Sequence, residues 1–326
     1  MEGMRFVTNQ ATRLGITGIH DPQVDLDDLE AYQHLRNEGA LNVRVYIAMY
    51  HHEETAQEDL TRFDAARSRF SDEWIKVGAV KLYIDGVPAT HTAAMLEPYS
   101  DDPSSTGEAV YTQDEFNNIA ARLDRMKFQI FTHSCGDRGD RMIFDAYENA
   151  MRENGRRDSR HRIEHTDLIS QEDISRFRQL GVIAAMTPRY VALDDETSWA
   201  VLGPERMRAA EPWNSLDQAG AVLAFSSDWP VTEMNPLLGI YSAVNRSDDI
   251  SPEQAISLEK AIQGYTINAA YASFEEHLKG LIEVGKLADI IILSDNLFEI
   301  PADKIKDVEV LLTIVGGKEV YRSEKF

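Results

Sequence analysis

The sequence predicts an α/β fold: a TIM-type (β/α) barrel that counts one strand short, followed by strands of a small β-sandwich. Three observations carry this. Seven short apolar runs alternate with polar stretches of helical spacing. Histidine, lysine and aspartate stand at the ends of several of those runs. After about Phe274 the rhythm turns to strands alone. The 326 residues suffice for one large domain or two ordinary ones.

The runs lie at 16–20, 43–49, 79–85, 129–133, 161–165, 182–186 and 222–228. Short, apolar and rich in β-branched residues, they read as parallel strands buried on both faces. Between them, residues 56–69 carry Leu60, Phe63 and Ala66 at helical spacing. Thr112, followed by Gln113, Asp114 and Glu115, reads as a helix N-cap ahead of Phe116, Ile119 and Leu123. Residues 140–151 and 171–180 repeat the pattern, and Gly181 supplies a helix stop. Strands alternating with helices imply a parallel sheet with crossover helices. Residues 281–294 then read as a turn and a strand, and 308–321 as two short strands joined by Gly316-Gly317. The expected units are a barrel over 1–275 and a β segment over 276–326. The second is too small for its own core, so it packs on the barrel or completes a composite sandwich.

Composition narrows the function. Hydrophobic residues make up 43% and charged residues 27%, a globular balance. The net charge of −22 argues against nucleic acid or an anionic membrane surface as partner. No run approaches the roughly 20 apolar residues of a membrane span. Cys135 is the one cysteine, which excludes an intrachain disulfide and fits a cytoplasmic location.

Functional residues of such barrels sit at the C-terminal ends of strands. Standing there are Lys81, Asp85, His133, His165 and Asp228. Imidazole and carboxylate suit Zn²⁺ and related divalent ions, whose open position holds a water that becomes the nucleophile. An aspartate beside that water can take its proton and pass it to a leaving nitrogen. Taken singly, each residue has a plainer reading: an ordinary strand-end histidine, an ion-paired lysine, an aspartate capping the turn before Trp229-Pro230. Four candidates in corresponding positions on four strands favour a joint site.

Several motifs sharpen this. They are Val80-Lys81-Leu82-Tyr83-Ile84-Asp85-Gly86, Thr92-Ala93-Ala94-Met95-Leu96-Glu97-Pro98-Tyr99, His133-Ser134-Cys135-Gly136-Asp137-Arg138, Arg160-His161-Arg162-Ile163-Glu164-His165, Ser227-Asp228-Trp229-Pro230-Val231, Asn235-Pro236-Leu237-Leu238-Gly239 and Gly285-Lys286-Leu287-Ala288-Asp289. In this order they resemble the amidohydrolase superfamily, specifically the amidohydrolase 3 family that includes N-substituted formamide deformylases. The resemblance implies a metal-dependent hydrolase acting on amide-like C–N bonds of small molecules. Lys81 resembles the lysine that can be carboxylated to bridge two metals. His133 and His165 match metal ligands on the fifth and sixth family strands. Asp228 matches an eighth-strand aspartate that is both ligand and general base. Asp85, Arg138, Tyr190 and Trp229, near the expected mouth, are candidate substrate contacts, and residues 88–103 a candidate lid.

The resemblance also marks an absence. The family's first strand carries a His-x-His pair, and no two of the nine histidines here are separated by one residue. The expected barrel therefore holds strands two to eight, at most one divalent ion where the family holds one or two, and two open edges. Self-association or a complementing N-terminal fragment is the expected partner. The alternative is a non-catalytic remnant, truncated or split. His161 and His165 are four apart on one strand, which by parity puts them on one face roughly 13 Å apart, too far to share an ion.

Overall fold

The computed structural model describes residues 2–192, 200–246 and 251–326. All seven expected barrel strands are present: β1 (Gly18–Val24), β2 (Arg44–Tyr50), β3 (Ile75–Tyr83), β4 (Gln129–Ser134), β5 (Arg162–His165), β6 (Ile183–Met186) and β7 (Val222–Phe225). Each is parallel to its sequence neighbours, in the order β1 to β7. The sheet curls into an incomplete barrel. Arg162 of β5 reaches across its interior to His20 of β1, Nη1 to Nδ1 at 2.8 Å. Among the described residues β1 pairs only with β2, and β7 only with β6, so both edges are open.

Alternation sorts each strand into two faces. Val80, Leu82, Ile84, Ile130 and Ile163 face outward into the core shared with the helices. Tyr46, Ala48, Ala79 and Phe131 form a separate inner cluster. Tyr46 crosses that interior to Gln129 (Oη to Oε1, 2.9 Å). Its path requires Gly78, at the β2–β3 register shift, where a Cβ would lie 2.2 Å from the Tyr46 hydroxyl.

The helices follow their local signals. Thr112 caps Gln113–Arg125 reciprocally: its Oγ1 accepts from the Glu115 amide, and Glu115 accepts from the Thr112 amide. Gly181, at φ 69°, ends Ile174–Leu180 in the left-handed region that favours glycine. The floor of the barrel is closed by later residues. Lys76 donates to the Ser273 carbonyl, and Arg160 holds Glu276 with both terminal nitrogens at 2.9 Å.

The tail forms a three-stranded antiparallel sheet, ordered β10 (Lys318–Arg322), β9 (Val310–Val315), β8 (Ile290–Leu293). The β9–β10 turn is Gly316-Gly317, both at positive φ. Two links dock the sheet. Thr313 donates to the Thr12 carbonyl at the end of helix Glu2–Arg13. Buried Arg44, at the start of β2, grips Asp289 with two nitrogens at 2.7 and 3.1 Å. No helix among the described residues is long and apolar enough to cross a membrane.

Candidate active site

Parity on β3 and β4 places the first groups. Lys81 lies between outward Val80 and Leu82, so it faces the interior; His133 does so beyond Phe131. On β5 the same rule turns Arg162 and Glu164 inward, on either side of outward Ile163, and would turn His165 outward with His161. The structure overrides it. His165 and Thr166 adopt φ 80° and 52°, so the chain leaves the strand and re-aims the imidazole at the mouth. The His165 and His133 rings meet at 4.6 Å between centroids. His161 stays outside, against Asp124 at 3.4 Å and the Ile130 amide. The expectation that His161 and His165 share a face is therefore corrected by a local backbone turn.

Asp228, at φ 48°, comes from the turn after β7. Tyr190 joins it to the histidines: its hydroxyl donates to Asp228 Oδ2, and its ring stacks on His165 at 5.8 Å. Tyr83 lines the opposite side, 4.8 Å from the His133 ring and 4.7 Å from Lys81 Nζ. Trp229 lies exposed at the rim.

Burial sets the charges. It pushes Lys81 down to about 8, against the pull of Glu164 and Asp228. Burial, then the Lys81 charge, hold His133 at about 3, so its imidazole is neutral near pH 7. His165 is lowered by the same causes with His133 added, and its Nδ1 is buried without a partner. Burial raises the Asp228 carboxyl, opposed by Tyr190 and Lys81.

Two expected substrate contacts, Asp85 and Arg138, also hold backbone groups of neighbouring loops. Asp85 is buried, and its oxygens accept the backbone amides of Ala94, Cys135 and Gly136. Burial still raises its carboxyl to about 7. Arg138 donates to the carbonyls of Met95, Thr106 and Gly107. Both residues brace the loop after β3. The loop packs Ala93, Met95 and Tyr99 against Cys135 and Leu168, just past β4 and β5. Cys135 Sγ lies 3.6 Å from His133 Nε2, and burial raises the thiol.

The sequence reading missed Glu164 and Tyr83. Glu164 is held by Arg162 through two bonds of 2.8 and 2.6 Å, beneath Lys81 and Asp228. The available signal was parity: a charged pair two apart on a strand whose middle residue belongs to the outer core.

The donor set fits a metal in part. Two neutral imidazoles lie side by side and one orphaned nitrogen is available, which suits a divalent ion. Among the described residues no three His, Cys, Asp or Glu side chains converge to hold an ion. Lys81, which faces the same interior, carries a nitrogen that becomes an oxygen donor only as a carbamate.

A family model described as "Amidohydrolase family" matches residues 3–321. "Protein LONG AFTER FAR-RED 3" of Arabidopsis thaliana is 37% identical over 257 residues, covering 76% of this chain and 44% of that protein. "N-substituted formamide deformylase" of Arthrobacter pascens is 25% identical, covering 95% of this chain and 58% of the enzyme. The chain thus spans about half the length of these curated relatives. The crystal structure of an uncharacterized metal-dependent hydrolase from Pyrococcus furiosus superposes with a TM-score of 0.74 and 26% identity, over 87% of this chain and 57% of that one. The chain belongs to the amidohydrolase family.

Proposed function

We propose that this chain is a metal-dependent hydrolase of amide-like, non-peptide carbon–nitrogen bonds in small molecules. The observation that carries the reading is the meeting of Lys81, His133 and His165 at one mouth with Asp228, which Tyr190 holds. The deformylase and the metal-dependent hydrolase among the similar proteins support the same chemistry.

His133, His165 and carboxylated Lys81 would hold the ion, with zinc favoured by imidazole nitrogen; when bound it supplies a Lewis acid and an acidified water. Lys81 is suited to carboxylation because burial enlarges its neutral, nucleophilic fraction. Both imidazoles are kept neutral, with lone pairs available. Tyr190 engages Oδ2 of Asp228 and leaves Oδ1 for the proton of the attacking water. Asp228 then returns that proton to the leaving nitrogen, and its raised carboxyl suits a carrier that must be protonated and emptied in turn. Tyr190, touching both Asp228 and His165, keeps base and ligand in register.

The test is elemental analysis of the zinc-dialysed chain, paired with hydrolysis of a panel of N-substituted formamides and acetamides. The expected result is about one ion per chain and turnover of panel members, both lost in His165→Ala. No hydrolysis of any member by the metal-loaded protein would overturn the reading.

A further inference from the structure

Asp228 is held from one side. β7 ends at Phe225, and among the described residues it pairs only with β6, so no strand on its other edge steadies the turn that carries the carboxylate. The ladder closes with the Ser226 amide on the Met186 carbonyl at 2.9 Å. Beyond it the link between the two loops passes to side chains. The hydroxyls of Thr187 and Ser226 meet at 3.1 Å. Tyr190 donates to Asp228. Arg189 takes Glu233 with Nε and Nη2, each at 2.9 Å. The short helix Pro188–Ala192 carries both Arg189 and Tyr190. Glu233 belongs to the Asp228 loop. There the Val231 amide donates to the Asp228 carbonyl at 2.8 Å, Thr232 donates to the Ser227 carbonyl, and Asn235 caps the helix Pro236–Val244. Each loop is thus set within itself, and the ion pair fixes one against the other.

We infer that Arg189 and Glu233 are positioning residues for the hydrolysis: their ion pair registers the Tyr190 loop against the Asp228 loop and makes turnover depend on ionic strength. The inference rests on the hydrolase reading above and adds to it a control from outside the mouth. Two parallel bonds fix direction as well as distance. What they orient is Tyr190, whose hydroxyl touches the proton carrier and whose ring lies on His165. The pair acts through Tyr190 on a carboxylate that works in the transition state, so its loss appears in kcat and leaves KM unchanged. The pair is also open to water, with 18% of the Arg189 side chain and 53% of the Glu233 side chain exposed. Such a pair adds little to global stability and is weakened by salt. The screening length falls from roughly 30 Å at about 0.01 M salt to about 3 Å at about 1 M.

The experiment follows kcat and KM of the zinc-loaded chain on N-substituted formamides at low and high NaCl. The proteins are the parent, Arg189→Gln, Glu233→Gln, the double variant Arg189→Gln/Glu233→Gln and the exchange Arg189→Glu/Glu233→Arg. Cobalt binding, read from its visible absorption, is measured on the same proteins and needs no turnover. The expected kcat is about two- to fivefold lower in each single variant, the factor an exposed pair can supply. It falls no further in the double variant and recovers in the exchange, while KM and the urea midpoint stay where they were. High salt brings the parent down to the single variants and leaves those unchanged; chloride acting on the metal would slow all of them alike. Cobalt binds less tightly in the single variants, because Tyr190 no longer steadies His165, and recovers in the exchange. Losses that multiply in the double variant, or an exchange no better than the single variants, overturn the inference. Turnover that is the same in parent and single variants takes down the ion-pair inference alone. No turnover of any formamide, with cobalt affinity that still falls in the single variants and returns in the exchange, takes down the hydrolase reading alone.

Discussion

Strands β3 to β5 and strand β1 carry polar residues under opposite conditions. β4 and β5 bury every residue, and β3 all but three. β1, with one neighbour, buries only Val24 and leaves the rest partly or fully exposed. On the closed wall each charge must be answered by another, and the answers form a chain: Arg162 holds Glu164, and Glu164 and Asp228 balance Lys81. On the open edge, polar side chains take single bonds. Asp21 accepts from Tyr32 at 2.6 Å, Gln23 accepts from Tyr83 at 2.6 Å, and His20 meets Arg162. The difference teaches where this fold can place chemistry. The edge desolvates groups too: burial lowers the proton affinity of His20 and raises that of Asp21, and there each is answered by a single bond rather than by an opposite charge held in a chain.

The largest expected effect comes from removing the proton carrier. Asp228→Asn keeps the shape and an acceptor for Tyr190 but cannot shuttle a proton. Turnover should fall about 10²–10⁴-fold. The urea midpoint should barely move, because the carboxylate is already strained by burial. Matched kinetics and denaturation curves check this, and a turnover loss below tenfold would remove Asp228 from the chemistry.

Next is the wall itself. Arg162→Met leaves Glu164 buried without its bidentate partner, at a cost of about 3–5 kcal/mol. The double variant Arg162→Met/Glu164→Gln should recover much of that, since the lone charge is gone. Equal losses in the single and double variants would mean that Arg162 acts through its packing on Phe131, 3.8 Å below the guanidinium, rather than through charge.

A third test uses pH. His51, just past β2, is buried with both ring nitrogens unpartnered. Burial first, then Arg122, hold it at about 4, below the ordinary 6.5. The unfolded chain therefore takes up a proton at a pH where the folded chain does not. The stability this represents is complete above about 6.5 and is lost as pH falls toward 4, on the order of 3 kcal/mol. Asp85 works the other way. Its folded carboxyl is raised to about 7, so its contribution is full at acid pH and is lost as pH rises through 7. Urea midpoints at pH 7 and pH 4.5 separate the two. His51→Leu should lose less stability than the parent over that interval, and parallel losses would refute the assignment.

Much of this was readable from residues alone. All seven barrel strands and the Gly316-Gly317 turn lie where the apolar runs and the turn signal put them, because strands buried on both faces need little beyond local sequence to show themselves. Lys81 and His133 follow from parity. His165 does not: its aim depends on a positive φ that no periodicity encodes. The roles of Asp85 and Arg138 were also hidden. A carboxylate that gathers three amides and a guanidinium that gathers three carbonyls look, in sequence, like any mouth residue. Their partners lie on other loops, and only the fold brings them in.

The smallest effect belongs to the edge and sharpens the contrast. Gln23 accepts one bond from Tyr83, in a place where water can replace it. Gln23→Leu should cost about 0.5–1.5 kcal/mol, well below the wall variant. Tyr83 keeps its ring against His133 and its face toward Lys81 whether or not Gln23 is there, so turnover should change by less than about threefold, within the cost of one exposed bond. Denaturation and steady-state rates on the same preparation decide it. A loss as large as that of Arg162→Met would mean that β1 is part of the charged wall, and that the open edge shapes the site as strongly as the closed one.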